Sequence, residues 1–267
     1  MDVEIREDTA CLLLHGFTGE PFEMEPLREH LLARGIHAEL PLLPGHGKGL
    51  AAFAVSSFPE WADAAESAYL KLCARFPKVA VIGLSMGGSL ALRIAQRHQP
   101  AGIVTMAAPV YIYRWFPLEV GDWRLPLVGA LRHVLPRVRT RPPSPEARAI
   151  APWQGIGEVM CLEQLHSLIQ GLKHIRRDLE AVRAPLLALH APGDRIVSVG
   201  NAWEIVRRVG SPRRRLELLP IRERITSRHV LTTHRETRAR VCELVEEFVM
   251  SLERKVHAGF CACVQQT

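Results

Sequence analysis

The sequence has no clean membrane span. Its longest apolar stretch, Val79 to Ala95, is interrupted by glycines, serines and Arg93, and it falls short of the ~20 apolar residues that cross a bilayer. No integral membrane association is expected. The opening M-D-V-E-I-R-E-D is acidic and has no apolar core of the secretory type, so a non-exported, cytoplasmic protein is expected. Zinc-type cysteine pairing is also missing. Cys11, Cys73, Cys161 and Cys242 are scattered, and the only close pair, Cys261 and Cys263, lies near the end of the chain. That spacing fits reduced thiols and supplies no metal site. Aromatic residues make up only 6% of the chain and do not interleave with the basic cluster of Arg207, Arg208, Arg213, Arg214 and Arg215. Despite a net charge of +6 and a pI near 9.2, no nucleic-acid partner is expected, because no binding motif accompanies the arginines. P-G-H-G-K-G at 44–49 matches neither phosphate-loop fingerprint, so no nucleotide cofactor is expected.

What the chain does have is alternation. Short apolar runs at Cys11 to Leu14, Val79 to Ile82, Gly102 to Met106, Pro185 to His190 and Leu216 to Leu219 read as buried parallel strands. Helical patterns at Met24 to Arg34, Pro59 to Arg75, Gly88 to His98, Asn201 to Arg208 and Thr237 to Arg254 separate or follow them. Together they predict an α/β fold with a mostly parallel central sheet flanked by helices. Between Tyr111 and Val182 no strand candidate occurs. A proline-rich middle, R-T-R-P-P-S-P-E-A, precedes Leu162, Leu165, Ile169, Leu172, Leu179 and Val182 at helical spacing, which predicts a mainly helical insertion. The expected organisation is a core of residues 1–110 and 183–255, a helical cap at 111–182, and a flexible tail at 256–267.

Gly83-Leu84-Ser85-Met86-Gly87 fits G-x-S-x-G between a strand pattern and a helix pattern, the context of a nucleophile elbow. Serine needs a base to take its proton and a third group to orient that base. Asp194 follows a buried strand in a Pro-Gly turn. His229, in S-R-H-V-L, lies between the last strand and the last helix, completing the order Ser, Asp, His; His234 is the rival base in the same loop. An acyl-transfer intermediate carries an oxyanion, for which the Met86 N–H and the Phe17 N–H in L-L-L-H-G-F-T-G are candidate donors. His15, Gly16 and His190 are placed in the substrate wall, His15 more as a shaper of its loop.

These motifs, with L-P-G-H-G at 43–47 and G-I-V-T-M-A-A-P at 102–109, resemble the α/β-hydrolase superfamily in order and spacing over roughly residues 10 to 253. The resemblance is strongest to small bacterial carboxylesterases related to monoacylglycerol lipases. It implies that Ser85, Asp194 and His229 form a triad, that Phe17 and Met86 form an oxyanion hole, and that the insertion after Pro109 builds an acyl pocket. It implies no metal or cofactor, and a small-molecule ester as substrate. The expected activity is hydrolysis of short- to medium-chain carboxylic esters. Alternatives are a monoacylglycerol lipase or thioesterase with the same triad, or a catalytically impaired binding protein. Two positions depart from the family pattern: Arg228 stands where a small residue usually precedes the histidine, and His234 where an aspartate is common.

Overall fold

The computed structural model describes residues 8–114 and 122–253; the tail and Cys261 and Cys263 lie outside these segments. The chain opens with β1 (Thr9–Leu14), a 3-10 turn at Pro21–Met24, α1 (Glu25–Ala33), β2 (His37–Glu39), α2 (Gly49–Phe53) and α3 (Phe58–Cys73). There follow β3 (Lys78–Leu84), α4 (Met86–Arg97) and β4 (Gly102–Met106). The insertion contributes α5 (Val128–Leu131), β5 (Arg137–Arg139), α6 (Pro145–Ile150), β6 (Val159–Cys161) and α7 (Leu162–Arg177). The alternation then resumes with β7 (Leu186–His190), α8 (Gly200–Arg208), β8 (Arg214–Leu218) and α9 (Arg238–Glu253).

Six strands form one sheet in the order β2-β1-β3-β4-β7-β8, each paired parallel to its neighbour. Parallel strands joined through helices are covered on both faces, which explains why β1, β3, β4 and β7 are largely apolar rather than alternating. β8, expected as a buried strand at Leu216 to Leu219, is instead the second edge strand, R-R-L-E-L, with Leu216 half-buried and Leu218 exposed, because among the described residues nothing pairs with it on its outer side. The strand period of two then sorts side chains between two cores. Leu12, Leu14, Val79, Val81 and Ile103 pack with Trp61 of α3, Leu90 of α4 and Leu172 of α7. Cys11, Leu13, Ala80, Ile82 and Val104 pack on the other face with Leu27 of α1 and Val245 of α9.

Three strands, of three residues each, were too short to be read from the sequence. β2 is the three residues H-A-E at the sheet edge, with His37 and Glu39 half-buried. The insertion, expected to be helical, also holds an antiparallel pair in which Arg137, Val138 and Arg139 face Cys161, Met160 and Val159. Two flanking arginines and one central valine give too weak an alternation for a strand to be read from R-V-R.

Sheet order reverses about β1 and β3, so their carboxyl ends open a crevice at the topological switch point. Gly87 sets how closely α4 docks there: a Cβ on it would lie 2.0 Å from the Leu14 carbonyl oxygen. The leucine stripe of α7 is shared. Leu168, Leu172 and Ile175 belong to the main core, whereas Leu162, Leu165 and Ile169 join Val128 in a small separate cluster. Leu172→Ala is therefore expected to lower the unfolding free energy by about 2–5 kcal/mol, and Leu165→Ala by distinctly less. Denaturant unfolding followed by circular dichroism measures both, and equal losses would mean that the two clusters unfold as one core.

Candidate active site

Four loops at the carboxyl edge of the sheet bring the predicted residues together. Ser85 occupies the turn between β3 and α4 at φ 53° and ψ −120°, a conformation that a side chain takes only when its surroundings impose it. Its N–H donates to the Met106 carbonyl at 2.7 Å, tying the turn to β4. Met86 is the first residue of α4, so its N–H has no partner within the helix and lies at the positive end of the helix dipole.

Asp194 follows β7 in a turn closed by its own N–H on the Ala191 carbonyl at 3.1 Å. Its Oδ1 accepts from the N–H groups of Ile196 (2.8 Å) and Val197 (3.0 Å), leaving Oδ2 for His229 Nδ1 at 2.7 Å. On its other side, His229 places Nε2 2.9 Å from Ser85 Oγ. The three side chains form one hydrogen-bonded line, with Asp194 and His229 both buried. Burial opposes ionisation of Asp194, but the His229 charge, with hydrogen bonds from His190, His229 and Val197, outweighs it and holds the carboxyl well below the usual carboxylate range. Burial likewise favours neutral His229, yet the charge and hydrogen bond of Asp194, with a further contribution from Glu23, raise its pKa above the ordinary 6.5.

The histidine loop departs from the family pattern without losing its organisation. Arg228 has φ 58°, a left-handed backbone that a small residue takes more easily. Its N–H donates to Thr226 Oγ1 at 3.1 Å and its Nε to the Glu223 carbonyl at 2.7 Å. His234 is fully buried and lies against Glu223, with Nε2 3.1 Å from Oε1, while its Nδ1 accepts the Glu236 N–H at 3.1 Å. Glu223 also accepts from the Thr226 hydroxyl and the backbone N–H groups of Ile225 and Thr226. Burial is the largest single influence on Glu223 and pushes it up, but the bonds from Thr226, His234 and Ile225 together outweigh it and bring it down to about 2. His234, the rival base, thus pairs with Glu223 in this network rather than with Ser85.

Two residues expected in the substrate wall lie behind it. His190 has no accessible surface; its Nε2 is 3.0 Å from the Val197 carbonyl and 3.5 Å from Asp194 Oδ2, at the back of the acid. His15, also fully buried, donates from Nδ1 to the Gly16 carbonyl (3.0 Å) and accepts the Leu43 N–H at Nε2 (3.1 Å). Burial, with the neighbouring His46 charge, pushes His15 down to about 3 against the Gly16 bond, so it is a neutral frame for the loop. Gly16 does face the serine: a Cβ there would lie 3.4 Å from Ser85 Cβ. Phe17 rests its ring edge-on against Phe53 and Trp61, at centroid distances of 5.3 and 5.7 Å.

One buried group at the site carried no sequence signal. Glu23, 2% exposed, accepts the Gly16 N–H on Oε1 and is hydrogen-bonded by Trp153. In the run G-E-P-F-E-M-E-P-L it is one of three glutamates, and only the last turn of the 3-10 helix turns it inward while Glu20 and Glu25 remain half-buried.

Residues 6–221 match the family model described as Serine aminopeptidase, S33. The thermostable monoacylglycerol lipase of Bacillus sp. (strain H-257) is 30% identical over 222 residues, covering 83% of this chain and 82% of the relative. A carboxylesterase of Bacillus subtilis (strain 168) is 26% identical over 247 residues, covering 92% and 94%. A solved structure of metagenome-derived lipolytic enzymes, LipS and LipT, superposes with a TM-score of 0.79 at 24% identity over 92% of this chain and 95% of that one, a likeness of fold. With the match spanning most of its length, and with the sheet order and serine turn described above, the chain belongs to the Serine aminopeptidase, S33 family of the α/β-hydrolase superfamily.

Proposed function

We propose that this protein is a serine carboxylesterase acting on short- to medium-chain carboxylic esters through an acyl-enzyme on Ser85. The observation that carries this reading is the continuous contact from Asp194 Oδ2 through His229 to Ser85 Oγ, at 2.7 and 2.9 Å. As Ser85 Oγ attacks the ester carbonyl carbon, its proton passes to His229 Nε2, and the imidazolium is stabilised by Asp194. The carbonyl oxygen becomes an oxyanion facing the N–H groups of Phe17 and Met86. Collapse of the intermediate breaks the bond to the alcohol oxygen, which takes the proton from His229. Water, deprotonated by the same imidazole, then attacks the acyl carbon and frees the acid and Ser85.

The insertion serves in this reading as a cap over the acyl chain. Phe17, Ile112 and Tyr113 pack against the small cluster of Val128, Leu162, Leu165 and Ile169, which joins the oxyanion loop to the interior of the insertion with apolar surface. The same surface favours a second reading, hydrolysis of monoacylglycerols, the activity named for the Bacillus sp. relative. Hydrolysis of p-nitrophenyl esters from acetate to palmitate, by wild type and Ser85→Ala side by side, separates the two. The expected result is Ser85-dependent turnover greatest at short to medium chains. A maximum at long chains would move the assignment to a lipase, and no Ser85-dependent turnover at any length would indicate a binding protein.

Asp194→Asn is expected to fold but to lose about 10⁴-fold in kcat, because the histidine loses its orienting carboxylate; near-wild-type turnover would mean that another acid is used. Because the imidazole must be unprotonated to accept the serine proton, kcat/KM is expected to fall as pH drops through the raised His229 pKa, above 6.5. A stopped-rate pH profile of kcat/KM checks this, and an acid limb below 6.5 would contradict the charge-stabilised imidazolium.

A further inference from the structure

The loop that presents the Phe17 N–H is folded around a carboxyl group. Glu23 Oε1 accepts the Gly16 N–H, and a Cβ on Gly19 would lie 2.6 Å from Glu23 Oε2. The two glycines let the backbone close on this carboxyl, and a Cβ on Gly16 would meet both Glu23 Oε1, at 2.9 Å, and Ser85 Cβ, at 3.4 Å. Across the loop, the Gly16 carbonyl accepts from His15 Nδ1 (3.0 Å) and from the Gly19 N–H (3.2 Å). In a planar trans peptide the carbonyl of one residue and the N–H of the next point in opposite directions. Holding the Gly16 carbonyl on the His15 side therefore turns the Phe17 N–H the other way, and holding the Gly16 N–H on Glu23 keeps that donor out of the oxyanion position.

The insertion completes the clasp. Trp153 hydrogen-bonds the Glu23 carboxyl, the Ile156 N–H donates to the Thr18 carbonyl at 2.9 Å, and Gly19 bridges Gly155. The same segment reaches the histidine loop, where the Thr233 hydroxyl donates to the Pro152 carbonyl at 2.6 Å. Glu23 is also tied to that loop through its own carbonyl, which accepts from the Thr232 hydroxyl.

We infer that Glu23 is a positioning residue of this site: its carboxyl fixes the Gly16 to Gly19 loop so that the Phe17 N–H meets the reacting carbonyl oxygen, and it places a second acidic group opposite His229. The inference rests on the triad reading given above. The groups facing one another are few. Glu23 faces His229 and, on its own turn, Glu20, with the Gly16 N–H and the Trp153 indole as neutral donors; His229 faces Asp194, Ser85 and Glu23. Burial is the largest influence on Glu23 and pushes it up to about 7 against the Gly16, His229 and Trp153 contacts, so the group changes charge in the range where the base works.

Glu23→Gln keeps the shape of the side chain and removes its charge. Steady-state kinetics on a p-nitrophenyl ester, thermal unfolding and the pH profile of kcat/KM are measured for wild type, Glu23→Gln, Trp153→Phe and Ser85→Ala. The expected result for Glu23→Gln is a thermal midpoint near wild type, kcat down by about tenfold or more with KM within about twofold, as for a misplaced transition-state donor, and an acid limb moved to lower pH. Trp153→Phe, which loosens the carboxyl without removing it, is expected to lower kcat by a smaller factor at unchanged KM. A folded Glu23→Gln with wild-type kcat and acid limb overturns the inference while leaving the triad reading in place. If that variant fails to fold, wild-type kcat in Trp153→Phe overturns it instead. Absence of Ser85-dependent turnover in the wild type would overturn the triad reading itself, and this inference with it.

Discussion

The arrangement depends on one strained turn. Ser85 is held at φ 53° and ψ −120° between β3 and α4, a backbone state that costs of order 1–3 kcal/mol and persists only where the fold over-determines it. Here the constraint comes from three directions. β3 is buried along nearly its whole length, α4 is pressed against β1 through Gly87, and the Ser85 N–H is bonded to the end of β4. The strain has a structural return: it lifts Oγ off the strand axis and leaves the Met86 N–H at the open start of a helix. Releasing any of the three constraints would let the turn relax and take the hydroxyl away from His229.

The charges around the proposed base follow from burial. An isolated buried aspartate would be protonated at neutral pH, because desolvation penalises its ionised form. Asp194 escapes this because both of its oxygens are occupied, Oδ1 by two backbone N–H groups and Oδ2 by His229. His190 closes the back of the same carboxylate. A carboxylate so enclosed stays charged next to the His229 imidazole. Beside the 16–19 loop the opposite holds: His15 and His46, in edge contact at 4.9 Å, are pushed down, chiefly by burial, to about 3 and about 4, and are neutral struts.

How far the sequence revealed this depends on the physical signal each element leaves. Ser85, Asp194 and His229 were legible because each lies in a segment that follows a predicted strand, in the order Ser, Asp, His, and the structure brings all three into contact. The buried strands β1, β3, β4 and β7 were legible from apolar runs, and β8 from its leucines although it is an exposed edge; edge strand β2 and the β5–β6 pair were not, being only three residues each. His15 and His190 stand beside site residues along the chain, yet their side chains turn back into the fold, a direction that adjacency in sequence does not reveal. Glu23 and Trp153 left no trace, since a carboxyl and an indole 130 positions apart meet only once the insertion has folded over the Gly16 to Gly19 loop. The same is true of Glu223, which meets His234 only through the fold of the last loop.

That last class of contact changes how the insertion should be understood. A lid attached only through its ends could vary without consequence for the chemistry beneath it. Here the segment around Trp153 to Ile156 bonds to the backbone of the Gly16 to Gly19 loop, and Pro152 and Ile150 accept from the histidine loop at Thr233 and Arg235. Two of the four loops that carry the site are therefore fastened to the insertion and not only to the sheet. The sheet fixes where the strands end, but the orientation of individual peptide groups in the loops beyond them is set by what those groups bond to. A change in the insertion that leaves every apolar contact intact can thus still move a donor by a fraction of an ångström, and transition-state stabilisation is the property most sensitive to such a shift.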